Sequence, residues 1–351
     1  MEREFNLIKK VNILLASTAS VFVLTSCSNN SHYKNYDFKY WTDCRPLNEL
    51  TSYVKDVTDP NSENFIPKED RIVTFDMDGT LYGERSPIYV EWLFYKEYFD
   101  TLFEGDKDHQ ITYVINGEDR TVSLRDTYNE INEFIAGNEN SNLEMDEAHC
   151  GAYLFSDITI QKYIEEVGKF LEKDAEYFNN LKLKDMIYLP MKEIVSYLQL
   201  NDFTPYICSG TDRFMVRKIA CEIFNIQSNH VIGMDVSLYK NENNQMTRGN
   251  KLIYKNVKEV KPQLISQEIG KKPVLSFGNS SGDEEMHRFC IKENHYKSKA
   301  FMVVADDVVR ERGYSEKVIE KRIENWGEFN LISMKNHWKT IYGDDVTLKN
   351  I

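Results

Sequence analysis

Two aspartates, Asp76 and Asp78, stand two positions apart at the end of an apolar run, residues 71–75. Alternate residues of a strand face the same side, so the two carboxylates enter one small region, where like charges repel each other. Such a pair needs either a cation or a chemical function to keep it together. We therefore take residues 76–80 as the first candidate for a catalytic segment.

The elements that must position this pair follow a repeated pattern, in which a short apolar run ends in a polar cluster. Helical patterns at residues 213–224 and 261–269 separate these runs. This alternation predicts an α/β fold with a doubly wound parallel sheet, and such sheets bind ligands at the carboxyl ends of their strands. The further runs and their clusters are 203–208 with 209–212, 273–277 with 278–283, and 300–304 with 305–307.

A long insertion, residues 83–190, separates the first polar cluster from the second. We expect it to form a mainly helical cap domain on a catalytic core made of residues 66–82 and 191–351. A cap of this kind closes over a site, excludes water and limits access to small molecules. The insertion has helical patterns at 88–103, 124–136 and 158–171 and a hairpin-type turn within 111–117.

The N-terminal segment, residues 1–26, has a charged start, an apolar middle and small residues before Cys27, as a secretory signal peptide does. Its apolar part is shorter than the roughly 20 residues that span a bilayer. The ending Leu24-Thr25-Ser26-Cys27 resembles the lipobox of bacterial lipoproteins. This resemblance implies a lipid on Cys27 that anchors the protein to a membrane of the bacterial cell envelope, on the extracytoplasmic side. Residues 27–65 would then be a tether and a lead-in to the core.

Composition limits the partners of the chain. It has 43 basic and 56 acidic residues, a net charge of −13, which excludes an electrostatic footprint for nucleic acid and requires any phosphate site to be built locally. The six cysteines include no CxxC pair, which argues against a zinc ribbon or a dense disulfide framework. Five remain besides Cys27, so at least one of them is a free thiol or pairs between chains.

The order of the motifs identifies a family resemblance. Residues 76–80, Ser209 after an apolar run, a lysine before a helix and the acidic loop 278–283 resemble the haloacid-dehalogenase-like hydrolase superfamily, nearest to its phosphoserine-phosphatase-like branch. The resemblance implies that Asp76 is the nucleophile that forms an aspartyl-phosphate. It also implies that Asp78 protonates the leaving oxygen and then activates water. Dehalogenating relatives lack the second aspartate, so Asp78 favours phosphate-ester hydrolysis.

The same resemblance implies a phosphate-binding set. Ser209 and the backbone amide of Gly210 would donate hydrogen bonds to the phosphoryl oxygens near a helix N-terminus. A lysine would hold Asp76 ionised and offset the phosphate charge. The spacing favours Lys261 for this role, with Lys258 as the second choice; Lys251 and Lys255 also precede the next strand.

A magnesium ion is the implied cofactor. We expect Asp76, the backbone carbonyl of Asp78 and either Asn279 or Asp283 to bind it, because Mg²⁺ prefers carboxylate, carbonyl and water oxygens. Many relatives have aspartate where this chain has Asn279, so the metal would be held more weakly and Asp283 would be the main anchor in this loop.

The sequence therefore predicts a Mg²⁺-dependent phosphatase, anchored by lipid, that hydrolyses a small phosphorylated metabolite. Phosphoserine-, phosphocholine- and nucleotide-like esters are all compatible with it. Alternatives are a phosphotransferase, a phosphonate-cleaving relative and a lipoprotein that binds a ligand without turnover.

Overall fold

The structure is a computed structural model that describes residues 33–84, 88–138 and 142–349. The predicted signal peptide and the predicted lipidation site at Cys27 lie outside the described residues. The helices are α1 (Arg45–Thr58), α2 (Val90–Thr101), α3 (Leu124–Ile135), α4 (Leu143–Leu154), α5 (Ile160–Leu171), α6 (Leu189–Leu200), α7 (Arg213–Phe224), α8 (Val260–Glu268), α9 (Glu284–Ile291), α10 (Glu316–Ile323) and α11 (Met334–His337). The strands are β1 (Ile72–Phe75), β2 (Gln110–Ile115), β3 (Glu118–Ser123), β4 (Phe178–Asn179), β5 (Thr204–Asp212), β6 (Val231–Lys240), β7 (Met246–Tyr254), β8 (Leu275–Gly278), β9 (Lys299–Val304), β10 (Asn330–Ser333) and β11 (Thr347–Leu348).

The central sheet has seven strands in the order β10-β9-β8-β1-β5-β6-β7. All neighbouring pairs are parallel except β6 and β7, which are antiparallel. The chain runs from β1 to one side through β5 and β6, and later returns to β8 on the other side of β1. This is a doubly wound α/β sheet. The direction in which successive strands are added changes between β1 and β8, and ligands bind at such a switch point. The predicted fold class is confirmed.

Stacked phenylalanines hold the central strands in register. Phe75 of β1 stacks on Phe277 of β8 at a ring distance of 4.7 Å, and Phe277 stacks on Phe301 of β9 at 4.9 Å. These residues are also direct partners across the parallel strands. Because Phe75 and Phe277 are paired, the residues that follow them, including Asp76 and Asn279, emerge side by side.

Strand β5 is longer than its sequence pattern indicates. The apolar run ends at Cys208, but the strand continues to Asp212 and its register to β6 shifts between these two residues. Strands β6, β7 and β10 were not predicted from the sequence. Strand β7 lacks a clear apolar pattern because it lies at the sheet edge, where polar residues such as Asn250 and Lys251 are exposed to solvent.

The insertion between β1 and β5 contains the predicted helices α2, α3 and α5 and the predicted β2–β3 hairpin, together with α4. The hairpin turns at Asn116 and Gly117, whose φ angles of 54° and 83° are those of a two-residue turn that favours Asn-Gly. Helix α4 was not predicted because its buried face is not purely apolar. It buries Asp146 and Glu147, which obscure the hydrophobic periodicity.

The lead-in to the core is more ordered than a tether. Helix α1 has 14 residues and an apolar face that packs into the main core. The buried hydroxyl of Tyr53 donates to the carbonyl oxygens of Val274 and Lys297, and Trp41 Nε1 donates to Pro190 O at 2.9 Å. Residues 41–58 therefore belong to the folded body.

Five cysteines lie in the described part of the chain, and all five are free thiols: Cys44, Cys150, Cys208, Cys221 and Cys290. None of the described helices has the length and apolar character needed to cross a membrane.

Candidate active site

The segment that carries Asp76 and Asp78 leaves β1 in a tight turn. Gly79 has a φ of +77°, and a Cβ atom there would lie 2.0 Å from Asn279 Nδ2, so only glycine fits. The Thr80 hydroxyl donates to Asn279 Oδ1 at 3.3 Å. The turn that follows β1 is therefore packed directly against the loop that follows β8.

Lys261 joins these two loops. Its Nζ atom lies 2.6 Å from Asp76 Oδ1 and 2.6 Å from Asp283 Oδ1, and all three side chains are buried. Lys258 and Lys251 are exposed. Of the lysines that the sequence left open, the structure thus brings Lys261, in the first turn of α8, to Asp76.

Asp283 holds the loop in shape. Its second oxygen, Oδ2, accepts hydrogen bonds from the backbone amides of Asn279 and Ser280 at 3.0 and 3.1 Å. Burial opposes ionisation, but the charge of Lys261 prevails and lowers the pKa of Asp283. With both oxygens engaged, Asp283 is placed as a partner of Lys261 and of the loop amides, which leaves Asn279 as the loop side chain nearest the turn after β1.

The electrostatics of Asp76 differ from those of Asp283. Burial and then the negative charge of Asp283 raise the pKa of Asp76 well above its usual value, and Lys261 offsets this only in part. One lysine cannot fully neutralise two buried carboxylates. Ionised Asp76 therefore needs a second positive charge beside it.

Asp78 is oriented by a residue that the sequence analysis missed. The Thr211 hydroxyl donates to Asp78 Oδ2 at 2.8 Å, whereas Asp78 Oδ1 is buried and has no hydrogen-bond partner among the described residues. Burial raises the pKa of Asp78 to about 7, against the effect of the Thr211 hydrogen bond. At neutral pH this carboxyl group can both give and take a proton.

Ser209 and Gly210 lie at the same edge of the sheet but in different settings. Gly210 lines the cleft, whereas the buried Ser209 hydroxyl accepts a hydrogen bond from the Thr211 amide at 3.1 Å. The residue that caps α7 is Asp212, which accepts from the amides of Phe214 and Met215. The Ser209 hydroxyl retains its own proton for donation.

Above these residues lies a small cleft of about 90 Å³ that opens to solvent. Besides Glu84, the insertion contributes four side chains to its wall: Tyr89, Glu91, Trp92 and Glu144. None of the four was predicted from the sequence, because a helical pattern does not reveal which of its residues will face a cleft.

A buried charge network connects the cap to the core beside this cleft. Lys255, from the loop after β7, lies 3.0 Å from Glu91 Oε2 on α2 and 3.6 Å from Glu147 Oε2 on α4. Glu91 Oε1 also accepts the Asp212 amide at 2.8 Å. Burial and then the charge of Glu91 raise the pKa of Glu147 to about 8. The strongest pair at neutral pH is therefore Glu91 with Lys255.

Glu84 is another site residue that sequence reasoning missed. Its buried carboxylate accepts from Asn279 Nδ2 at 3.0 Å and lies within 2.6 Å of where a Cβ on Gly79 would be. Glu84 follows the catalytic segment by four residues, so its nearness to Asn279 is a consequence of the turn at Gly79. The carboxylate of Glu84 thus lies beside the side-chain amide of Asn279.

The oxygen groups at this end of the sheet suit Mg²⁺ in type. Among the described residues, no three His, Cys, Asp or Glu side chains are arranged to hold a metal ion by themselves. Asp76, the carbonyl of Asp78 and the amide oxygen of Asn279 are nevertheless hard oxygen donors, and Asp76 lacks full charge compensation. These residues fit a divalent cation that also takes water ligands.

No family model matches the chain, and no curated protein is similar to it. Solved structures do resemble it. A conserved protein of unknown function from Anaerococcus prevotii has 14% identity and a TM-score of 0.51, over 86% of this chain and 94% of that one. A phosphoserine phosphohydrolase-like protein from Francisella tularensis has 14% identity and a TM-score of 0.40, covering 75% and 94%. Cytosolic 5'-nucleotidase IIIB bound to cytidine has 11% identity and a TM-score of 0.46, covering 76% and 80%. The likeness to the Anaerococcus protein shows a shared fold.

Proposed function

We propose that this protein is a Mg²⁺-dependent phosphatase of the haloacid-dehalogenase-like superfamily that hydrolyses a small phosphomonoester through an aspartyl-phosphate on Asp76. The observation that carries the proposal is the convergence of Asp76, Asp78 and Lys261 at the carboxyl end of β1. This end lies at the switch point of the strand order, between β1 and β8. The order of the motifs along the chain supports the same family.

In the first step, the Asp76 carboxylate attacks phosphorus, an Asp76 O–P bond forms and the ester P–O bond breaks. Asp78, with one oxygen held by Thr211 and the other without a partner among the described residues, gives its proton to the leaving oxygen. In the second step, water attacks the phosphorus and Asp78 takes a proton from it. The products are inorganic phosphate and a free alcohol, and Asp76 is regenerated.

Lys261 keeps the nucleophile oriented and offsets part of the negative charge at phosphorus. The Gly210 amide and the Ser209 hydroxyl are the donors that we assign to the phosphoryl oxygens. Asp76, the Asp78 carbonyl and Asn279 would hold Mg²⁺, which supplies positive charge to the phosphoryl oxygens when bound.

We further propose that the protein acts outside the cytoplasm, attached to a bacterial membrane by lipid on Cys27. The support is the signal-like segment 1–26 and its lipobox-like ending. A folded body that closes a cap over its site is suited to small soluble esters.

The test is release of phosphate from a panel of phosphorylated metabolites, with and without Mg²⁺. We expect Asp76→Asn to abolish turnover and Asp78→Asn to slow it by more than about 100-fold, since an amide cannot donate the proton. Asp108→Asn, at an exposed residue of the cap, serves as the matched control. A wild-type rate for Asp76→Asn would refute the covalent mechanism.

A further inference from the structure

The cleft is strongly acidic even for a site that takes a metal ion. Of the described residues that line it, six carry carboxyl groups and two are lysines: Asp76, Asp78, Glu84, Glu91, Glu144 and Asp283, with Lys255 and Lys261. A bound Mg²⁺ and a phosphate dianion cancel each other in formal charge. Asp78 enters the first step protonated, and Lys255 and Lys261 pair with Glu91, Asp76 and Asp283. Glu144 is therefore the exposed carboxylate of the cleft that has no ion pair among the described residues.

Both lysines already contact two carboxylates each. Lys261 bonds Asp76 and Asp283, and Lys255 lies between Glu91 and Glu147. A leaving group that carried its own carboxylate would have to displace one of these buried pairs, which is costly. Among the described residues that line the cleft, no lysine or arginine is left unpaired to meet an anionic leaving group.

The position of the leaving group follows from Asp78. Its Oδ2 atom is held by Thr211, and its Oδ1 atom is the buried atom without a partner among the described residues. Asp78 is only 8% exposed, so the free oxygen is enclosed by the cleft. The leaving oxygen must approach this atom, and Tyr89, Trp92 and Glu144 line the same cleft as Asp78.

That wall combines aromatic rings with negative charge. Tyr89 and Trp92 lie edge to face with ring centroids 5.0 Å apart, and both line the cleft. Glu144, in the first turn of α4, is exposed and forms no ion pair among the described residues. Burial, then the charges of Glu84 and Glu144 among other groups, raise the pKa of Tyr89 well above its usual value, as expected for a phenol surrounded by carboxylates.

We infer that the substrate is a phosphomonoester of an amino alcohol, whose alcohol part carries an ammonium or quaternary ammonium group held by Tyr89, Trp92 and Glu144. Aromatic faces and carboxylates are the groups that bind such cations, and the attraction grows when water is excluded. This inference rests on the proposed phosphatase function and narrows its substrate class.

The test compares esters that differ in charge but hardly in shape. Choline phosphate and its uncharged isostere, 3,3-dimethylbutyl phosphate, form one pair, and 2-phosphoglycolate is the anionic member. With Mg²⁺ present, we expect kcat/KM for choline phosphate to exceed that for the isostere by at least about tenfold, with 2-phosphoglycolate the poorest. Ethanolamine phosphate shows whether a primary ammonium serves as well.

Variants of the wall residues test whether the wall causes the preference for the cationic ester. Glu144→Gln and Trp92→Leu should each lower the ratio of the choline ester to the isostere by at least about threefold. Glu118→Gln, at an exposed glutamate of the β2–β3 hairpin, should leave the ratio unchanged. Equal kcat/KM values for the two isosteres in the wild type would overturn the inference and leave the phosphatase function standing.

If no ester is hydrolysed, p-nitrophenyl phosphate included, the proposed function itself fails. Titration calorimetry of the Asp76→Asn variant then compares the affinities for choline phosphate and for 3,3-dimethylbutyl phosphate. Tighter binding of the cationic ester would support the wall as a cation site, and equal or weaker binding would overturn it.

Discussion

Replacement of Lys261 by methionine should destabilise the protein strongly in a way that depends on pH. The substitution keeps a long side chain but removes the only charge that bonds both Asp76 and Asp283 within the described structure. Removing one partner of a buried ion pair costs about 3–5 kcal/mol. Protonation of one carboxylate limits this cost, since it takes about 4 kcal/mol at pH 7 for an ordinary aspartate.

The same reasoning predicts the pH dependence. At pH 5, protonation of an ordinary aspartate takes only about 1.5 kcal/mol, so the loss in free energy of unfolding should fall to about 1–2 kcal/mol. The double variant Lys261→Met with Asp283→Asn should recover at least about half of the loss at pH 7, because it leaves a single carboxylate. The control is Lys258→Met, three residues away and exposed, for which we expect a change below about 0.5 kcal/mol.

The assay is urea unfolding followed by circular dichroism, in the presence of a chelator so that no divalent ion replaces the lost charge. A loss below about 1 kcal/mol for Lys261→Met at pH 7, or an equal loss at pH 5 and pH 7, would refute the reasoning. Either result would mean that Lys261 does not compensate the two aspartates.

Three further predictions concern the metal, the core and the anchor. Asn279→Asp should tighten Mg²⁺ binding and Glu84→Gln should weaken it, each by about threefold or more. The measurement is titration calorimetry with Mg²⁺. An unchanged dissociation constant for both variants would show that this loop does not govern metal binding. Burial lowers the pKa of His287 to about 4, so its neutral form contributes stability above pH 6.5 that is lost as the pH falls toward 4, up to about 3 kcal/mol. His287→Leu should remove this part of the pH dependence of urea unfolding, and an identical pH profile in the variant would contradict the assignment. Finally, wild-type protein should partition with membranes and Cys27→Ser should not; mass spectrometry that finds an unmodified Cys27 in the soluble fraction would contradict the lipid anchor.

Local patterns predicted the elements that carry the motifs. The apolar runs before Asp76 and Asn279 form β1 and β8 because each run is buried on both faces and ends where polar residues begin. The spacing that favoured Lys261 over Lys258 also agrees with the contacts in the structure. These features depend on neighbours in the sequence, which is why they could be read without coordinates.

Other site features arise only from packing. Thr211 reaches Asp78 across 133 positions of sequence, and Lys255 reaches Glu91 across 164. No local periodicity encodes such contacts. The surroundings of Asp283 also depend on packing: the sequence left open whether Asn279 or Asp283 contacts the metal, and only the folded structure brings Asp283 to Lys261 and to the backbone amides of its loop.

The sequence by itself thus determined the type of sheet, the order of the motifs and the identity of the chemical groups, because strand burial and turn chemistry are local properties. Only the tertiary structure decided which charges neutralise one another and which side chains of the cap face the cleft. Those outcomes depend on the register of β1 against β8 and on the docking of α2 and α4, where residues far apart in sequence come within hydrogen-bond distance.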